Sequence, residues 1–225
     1  MKVLKLTDKN LSEIMKEAIR VINDHGVIVS PSDTVYGLTA DPTDKISVNK
    51  VYSIKKRDFN KPLGLVAGNM KIMEESFSIN KTERHIMEKF WPGPLGLRLS
   101  IKNTDRMRDI ARFTLFNSYN EDFPELNKII ARIPSNYFLA QLSVNLNRLV
   151  ISTSANLSGE SECYDAESVI DQFSNNKIKP DLVIDAGTLP KTLPSTMLDL
   201  TGDKPIIIRE GACFKEVEKM LENLK

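Results

Sequence analysis

Histidine and cysteine are scarce in this chain, two of each among 225 residues. Cys163 and Cys213 lie far apart without CxxC spacing, which excludes a disulfide framework and a thiolate metal site and fits a reducing compartment. Each reads as a small semi-buried residue. His25 and His85 are not in ligand spacing with carboxylates, so a histidine metal centre is not indicated, and both are expected on helix surfaces. There is no GxxxxGK[ST], no GxGxxG between a strand and a helix, and no GxSxG. A nucleotide, if one binds, is therefore held in another way than by a P-loop or a Rossmann turn. No segment reaches the roughly 18 apolar residues of a membrane span, and "MKVLKLTDKNLSEIM" lacks the apolar centre of a signal peptide. The expectation is a cytoplasmic protein with no membrane partner.

A strong charge of either sign is also missing. Thirty-one basic residues stand against 30 acidic ones, so the global field points to no nucleic-acid or membrane surface and only local clusters inform. What is present is a chain long and apolar enough, at 41% hydrophobic, to bury a core without disulfides or metal. No repeat, low-complexity run or long linker divides it, so one domain over residues 1–225 is expected.

Helix and strand patterns alternate. "KVLKL" reads as a strand, and Asn10 with Glu13 three residues on reads as the start of a helix carrying Leu11, Ile14, Met15, Ala18, Ile19 and Ile22. Strand "VIVS" runs into the polar turn "PSDTVYG". Further strand candidates are "LGLVAG", "LGLRLSI" after the turn "WPGP", "IIARIP", "LVISTS", "DLVID", "STMLDL" and "PIIIR". Helices are expected near Lys45 to Lys56, up to about Phe90, at Asn136 to Asn145, at Asp165 to Phe173, and from Phe214 to Leu224. The order implies an α/β fold with a mixed sheet. Asn103 to Asn127 matches neither pattern for long and reads as a partly helical flap or a mobile excursion.

Polar groups gather just after strands, where open α/β sheets hold ligands. "PSDTVYG" offers Ser32, Thr34, Asp33 and Tyr36, though read alone it is an ordinary turn as readily as a site. "SIKKRDFNKPLG" carries Lys55, Lys56, Arg57 and Lys61, and the spacing of Lys55, Arg57 and Lys61 suits one anionic ligand. The competing reading is a solvated basic face. "ISTSANLSGE" brings Ser152, Ser154, Asn156, Ser158 and Gly159 directly after an apolar run, and Ser195, Thr196 and Arg209 stand at the edges of apolar strands. Each has a bland reading as a cap or surface residue. Together, hydroxyls, amides and cations without a nucleophile–base pair describe a site that orients polyanions and stabilises charge.

"PSDTVYGL", "KKRDFNKPL", "WPGPL", "ARIP", "STSANLSG", "STMLDL" and "IIIREGA" occur in the order of the YrdC-like family, and over about Leu11 to Ala212 the chain resembles its threonylcarbamoyl-AMP synthases. The resemblance implies a YrdC-like twisted mixed β-sheet with flanking helices and a concave, positively charged ligand-binding face. It implies condensation of L-threonine, bicarbonate and ATP to threonylcarbamoyl-AMP and pyrophosphate, with Mg²⁺ accompanying ATP and no metal held by protein side chains. The product feeds the threonylcarbamoyladenosine modification of tRNA, completed by separate transferase proteins. By the same resemblance Lys55, Arg57 and Lys61 hold the phosphates, and Thr34, Tyr36 and Arg132 serve threonine. Ser152, Ser154, Asn156, Ser195 and Arg209 form the nucleotide cradle.

The chain departs from the family pattern at Ser32, Gly96 and Glu210, where threonine, threonine and proline are usual. By the same resemblance it is expected to be the short form, without the extra C-terminal domain of some relatives. Two rivals stand beside this reading. One is an RNA-binding module contacting phosphates through Lys55, Lys56, Arg57 and Lys61. The other is a different carbamoyl-adenylate or sugar-phosphate enzyme on the same fold.

Overall fold

The computed structural model describes residues 1–123 and 127–222. Residues 124–126 of the expected excursion, and Leu224 at the expected end of the last helix, lie outside the described residues. Strands β1 (Lys2–Lys5), β2 (Ile28–Ser30), β3 (Gly37–Ala40), β4 (Leu65–Val66), β5 (Phe77–Ser78), β6 (Leu95–Ile101), β7 (Lys128–Arg132), β8 (Val150–Ser154), β9 (Leu182–Asp185), β10 (Thr196–Asp199) and β11 (Ile206–Arg209) join in one sheet. Its order is β1-β9-β2-β3-β8-β4-β7-β6-β10-β11, with β5 added alongside β6. Pairing is mixed: β9 runs parallel to β1 and β2, whereas β8 runs antiparallel to β3 and β4. Helices are α1 (Leu11–Asn23), α2 (Lys45–Lys55), α3 (Met70–Ser76), α4 (Lys81–Phe90), α5 (Asp105–Leu115), α6 (Tyr137–Leu146), α7 (Ala166–Phe173) and α8 (Phe214–Glu222).

The period-two alternation of strands decides which residues enter the core. Along β6, Leu95, Leu97, Leu99 and Ile101 are buried against α5, so Arg98 and Ser100 face the other way. β7 repeats the pattern, burying Ile129 and Ala131 while Lys128, Ile130 and Arg132 share the opposite face. On β8, Val150 packs under Leu139 of α6, and two and four residues further on the same face carries Ser152 and Ser154. α1 and α6 close a second core over Ile28, Leu182 and Ile184. That sheet face is thus covered at the β1–β9–β2 end, and a cleft opens over β8, β7, β6 and β10.

Three local expectations differ from the structure. Asn10 does not cap α1; its side chain accepts the Thr7 N–H at 2.8 Å and donates to Lys5 O at 2.9 Å, bridging the β1–α1 turn. A reciprocal capping box forms instead at α4, between Asn80 and Glu83. His25 lies past the end of α1 at φ 56°, with Nδ1 2.9 Å from Asp44, whose carboxylate caps α2; His85 is on the exposed side of α4. The stretch from Asn103 contains α5, capped by Thr104, and it is core: Met107, Ile110, Ala111 and Leu115 are all at most 3% exposed. Polar residues between these four obscured a helical stripe whose apolar members recur at three and four residues. β3 was also hidden, because "GLTA" is too short and too small to stand out after the polar turn.

Ile110→Ala is expected to cost about 2–5 kcal/mol of unfolding free energy in urea titration, as for a buried core truncation. A change below about 0.5 kcal/mol, the usual range for surface sites, would return the segment to a peripheral flap.

Candidate functional site

The cleft has a volume of about 460 Å³, and its lining includes Thr34, Arg57, Lys61, Arg132, Ser152, Ser154, Ser195 and Arg209. Lys55, Tyr36 and Asn156 do not line it; they stand directly behind the wall. Two further cations line it that the sequence reading did not single out, Arg98 and Lys128, together with one carboxylate, Glu162. Arg98 was detectable, since it breaks the apolar run of "LGLRLSI" at an outward-facing position. Lys128 opens a strand directly after the mixed stretch "NEDFPELN" and gave no such contrast.

The loop after β8 is shaped from behind by Lys55. This last residue of α2 is 1% exposed, and its Nζ donates to Ser154 O, to Asn156 O at 2.9 Å and to Asn156 Oδ1 at 3.0 Å. Ser154 Oγ donates to the same Oδ1 at 2.6 Å, Asn156 Nδ2 to Glu160 O at 2.6 Å, and the Ser158 N–H to Lys55 O at 2.9 Å. Gly159 follows at φ 95°, a conformation in which a side chain would be strained. Burial, then repulsion by Arg57, pushes the Lys55 ammonium down to about 7, while Cys163 and Glu162 act in the opposite direction. Burial raises the neighbouring Cys163 thiol to about 11, so it is no thiolate nucleophile.

Lys56, in the left-handed conformation at φ 49°, ends α2 and turns the chain into the loop that carries Arg57 and Lys61. Arg57 braces that loop through Nε to Lys61 O and Nη2 to Pro62 O, both 3.0 Å. Phe59 anchors it from outside, stacking on Tyr52 at 4.7 Å and meeting Phe116 at 4.7 Å. Phe116 sits at φ 44°, a region bulky residues rarely adopt, held by this aromatic group.

In the turn between β2 and β3, Ser32 makes the bend: its Oγ donates to Val35 O at 2.6 Å and accepts the Thr34 and Val35 N–H groups. Thr34 is thereby presented to the cleft. Tyr36 is fully buried, donating to Gly187 O and accepting from the Ala186 N–H, each at 2.8 Å, and burial pushes its phenol up to about 12. Asp33 holds Arg132: Nη1 donates to Oδ2 at 2.8 Å and to Gly93 O at 3.1 Å. Oδ1 also lies 2.7 Å from Nη1, but at an angle that makes no hydrogen bond.

On the opposite wall, Arg209 donates through Nε to Ser195 O at 2.9 Å and through Nη2 to Ser195 Oγ at 3.0 Å. Although its guanidinium is open to the cleft, burial lowers its pKa, opposed by Glu162 and reinforced by Arg132 and Arg57. Gly211 permits this approach, because a Cβ there would stand 2.2 Å from Pro194 O. Gly96 lies under the floor, where a Cβ would come within 3.0 Å of Ile130 Cγ2. Glu210 is exposed and does not line the cleft.

Among the described residues, six cations and a row of hydroxyls, facing one carboxylate and no nucleophile–base pair, can bind and orient a polyanion and stabilise charge that develops on it. Among the described residues no group of three His, Cys, Asp or Glu could hold a metal ion, and no helix is long and apolar enough to cross a membrane.

The model of the family Sua5/YciO/YrdC, described as "Telomere recombination", matches residues 20–211. A putative threonylcarbamoyl-AMP synthase of Methanocaldococcus jannaschii is 30% identical over 211 residues, which are 93% of this chain and 91% of that protein. The structure of P. abyssi Sua5 complexed with L-threonine has a TM-score of 0.79 at 25% identity, covering 97% of this chain but 59% of the Sua5 chain. E. coli YciO, at 23% identity and a TM-score of 0.74 over 93% of this chain and 94% of its own, shares the fold.

The depressed folded-state value of Lys55 fixes a pH dependence. Its unfolded value is near 10.4, so between about 7 and 10 the unfolded chain binds more protons, and this group's contribution to stability rises with pH across that window. Lys55→Met, which carries no proton there, should lack the rise. Urea unfolding of both proteins at several pH values checks this, and parallel curves would show that Lys55 titrates as an ordinary lysine.

Proposed function

This chain belongs to the Sua5/YciO/YrdC family, and from that premise we propose that it is a threonylcarbamoyl-AMP synthase, a nucleotidyltransferase acting on ATP. The observation that carries the reading is the cleft itself, a cation-rich, hydroxyl-lined hollow beside the "STSANLSG" loop and, among the described residues, without a nucleophile–base pair. Its support from relatives is the name of the Methanocaldococcus protein and the L-threonine complex of Sua5.

In this reading Arg57, Lys61 and Arg209 hold the phosphates of ATP, and Ser152, Ser154 and Ser195 hydrogen-bond the nucleotide. Thr34 and Arg132 receive threonine, Arg132 through the part of its guanidinium that Asp33 and Gly93 leave free. Lys55, Asn156 and Tyr36 act one layer back, fixing the loop and turn that carry these groups. Threonine's amine adds to bicarbonate-derived carbon dioxide, losing a proton and forming an N–C bond. The resulting carboxylate oxygen attacks the α-phosphorus in line, the bond to the β-phosphate bridging oxygen breaks, and pyrophosphate leaves. The cations stabilise the charge that spreads over the non-bridging oxygens. Mg²⁺ would accompany ATP and supply neutralisation of the phosphate charge, and no group of side chains among the described residues is gathered to hold it. The setting is cytoplasmic, and the product passes to transferase proteins that modify tRNA.

Pyrophosphate release from MgATP and bicarbonate should depend on L-threonine and fall when serine or alanine replaces it. Release indifferent to threonine would remove the synthase reading, and steeply salt-dependent RNA binding in its place would favour an RNA-binding module. Arg57→Ala should lower kcat about 100-fold, the order found on removing one charge-stabilising donor; an unchanged rate in the folded variant would take Arg57 out of the reaction.

A further inference from the structure

An α-amino acid brings two opposite charges into a cleft, and cations can satisfy only its carboxylate. The ammonium needs an acceptor, and most acceptors around this cleft are already engaged by the protein's own cations. The carbonyls of Lys61 and Pro62 receive Arg57, Gly93 O receives Arg132, Ser195 O receives Arg209, and Ser154 O receives Lys55. A carbonyl already facing a cation attracts a second one poorly. The nearby acids are engaged too. Asp33 takes Arg132 and also the N–H and hydroxyl of Ser135, while Asp199 takes Arg98 and Thr201.

Glu162 is different. It lines the cleft, and among the described residues its carboxylate makes no hydrogen bond and no ion pair. The next residue, Cys163, accepts the Tyr36 N–H at 3.0 Å, tying this segment to the turn that presents Thr34, and the Glu162 charge also acts on Arg209 and on Lys55 behind the wall. It is half-buried, and the loop before it is pinned by Gln172, which accepts the Leu157 N–H and donates to Ser161 O.

We propose that Glu162 is the ammonium-binding residue of the amino-acid subsite, selecting α-amino acids over acids that lack the amine. This rests on the synthase reading and deepens it. Held there, the amine is oriented toward its carbon partner before it gives up its proton, while Arg132 fixes the other end of the same molecule. The selectivity comes from the ion pair between ammonium and carboxylate, which the neutral hydroxyl of the analogue cannot form even where it donates to the same oxygen.

The test is isothermal titration of wild type and Glu162→Gln, in EDTA without nucleotide, with L-threonine and with its α-hydroxy analogue, in which a hydroxyl replaces the amine. Wild type should prefer threonine by about 10–100-fold, the worth of one hydrogen bond to a charged group. Glu162→Gln should lose that preference while binding the hydroxy acid as wild type does, which also shows that the variant is folded. A preference retained in Glu162→Gln overturns the proposal and leaves the synthase reading standing. A separate titration with MgATP in EDTA-free buffer covers the alternative: a variant that keeps the preference but binds MgATP more weakly also overturns the proposal and assigns the carboxylate to the nucleotide end. A wild type that binds no threonine brings down both.

Discussion

A buried ammonium at the end of α2 draws in the carbonyls of Ser154 and Asn156 and the Asn156 side chain, and much of the cleft is shaped by that contact. Three acceptors suit an –NH₃⁺ group, whereas burial disfavours its charge, so the contact is held between two opposed effects. Removing the lysine would leave Asn156 Oδ1 with Ser154 alone and free the loop to relax. Because Lys55 also takes the Ser158 N–H with its own carbonyl, the helix end and the loop are joined at both main chain and side chain. The next residue but one, Arg57, begins the cationic wall, so a single turn of chain both shapes the hydroxyl cradle and supplies charge beside it.

The sheet explains why the cleft exists at all. On a strand buried on both faces, outward positions would be apolar; here α1 and α6 cover only part of one face. β6, β7 and β8 are each core on one side and cleft on the other, and the period of two places Arg98, Lys128, Arg132, Ser152 and Ser154 in the hollow without any special backbone. Register aligns them: Arg98 lies opposite Ile130, and Ser100 opposite Lys128. Special backbone near the opening lies in its loops, at Gly159 and Lys56, where the chain must turn sharply.

The sequence made strands with strong apolar runs legible, and so too the loops that follow them, since "RLVISTSANLSG" shows a strand and its polar end in one reading. It could not show direction within a site. Lys55 and Arg57 are two residues apart and look equivalent as letters, yet one points behind the cradle and the other lines the cleft, because the helix ends between them. Tyr36 looked like a group for ligand contact, and its hydroxyl instead ties down Ala186 and Gly187, 150 residues away along the chain. Glu162 and Lys128 carry no motif of their own; only the pairing of distant strands brings them to the same opening. α5 was obscured for the opposite reason, its charged exposed face outweighing a four-residue apolar stripe.

Arg57, Arg132 and Arg209 each bind a backbone carbonyl with part of the guanidinium. A free arginine would need to lose rotamer freedom on meeting a phosphate or carboxylate, at a cost of about 2 kcal/mol for such a side chain. Here that freedom is already lost in folding, so the cations wait in a fixed arrangement and the anion meets dipoles and charges that need not reorganise. The same bonds withdraw carbonyl acceptors from the cleft, so that cations predominate among the described groups that line it. On the proposed reading the ammonium of an amino acid then has Glu162 as its acceptor, so the fixed cations and the role given to that carboxylate belong to one argument.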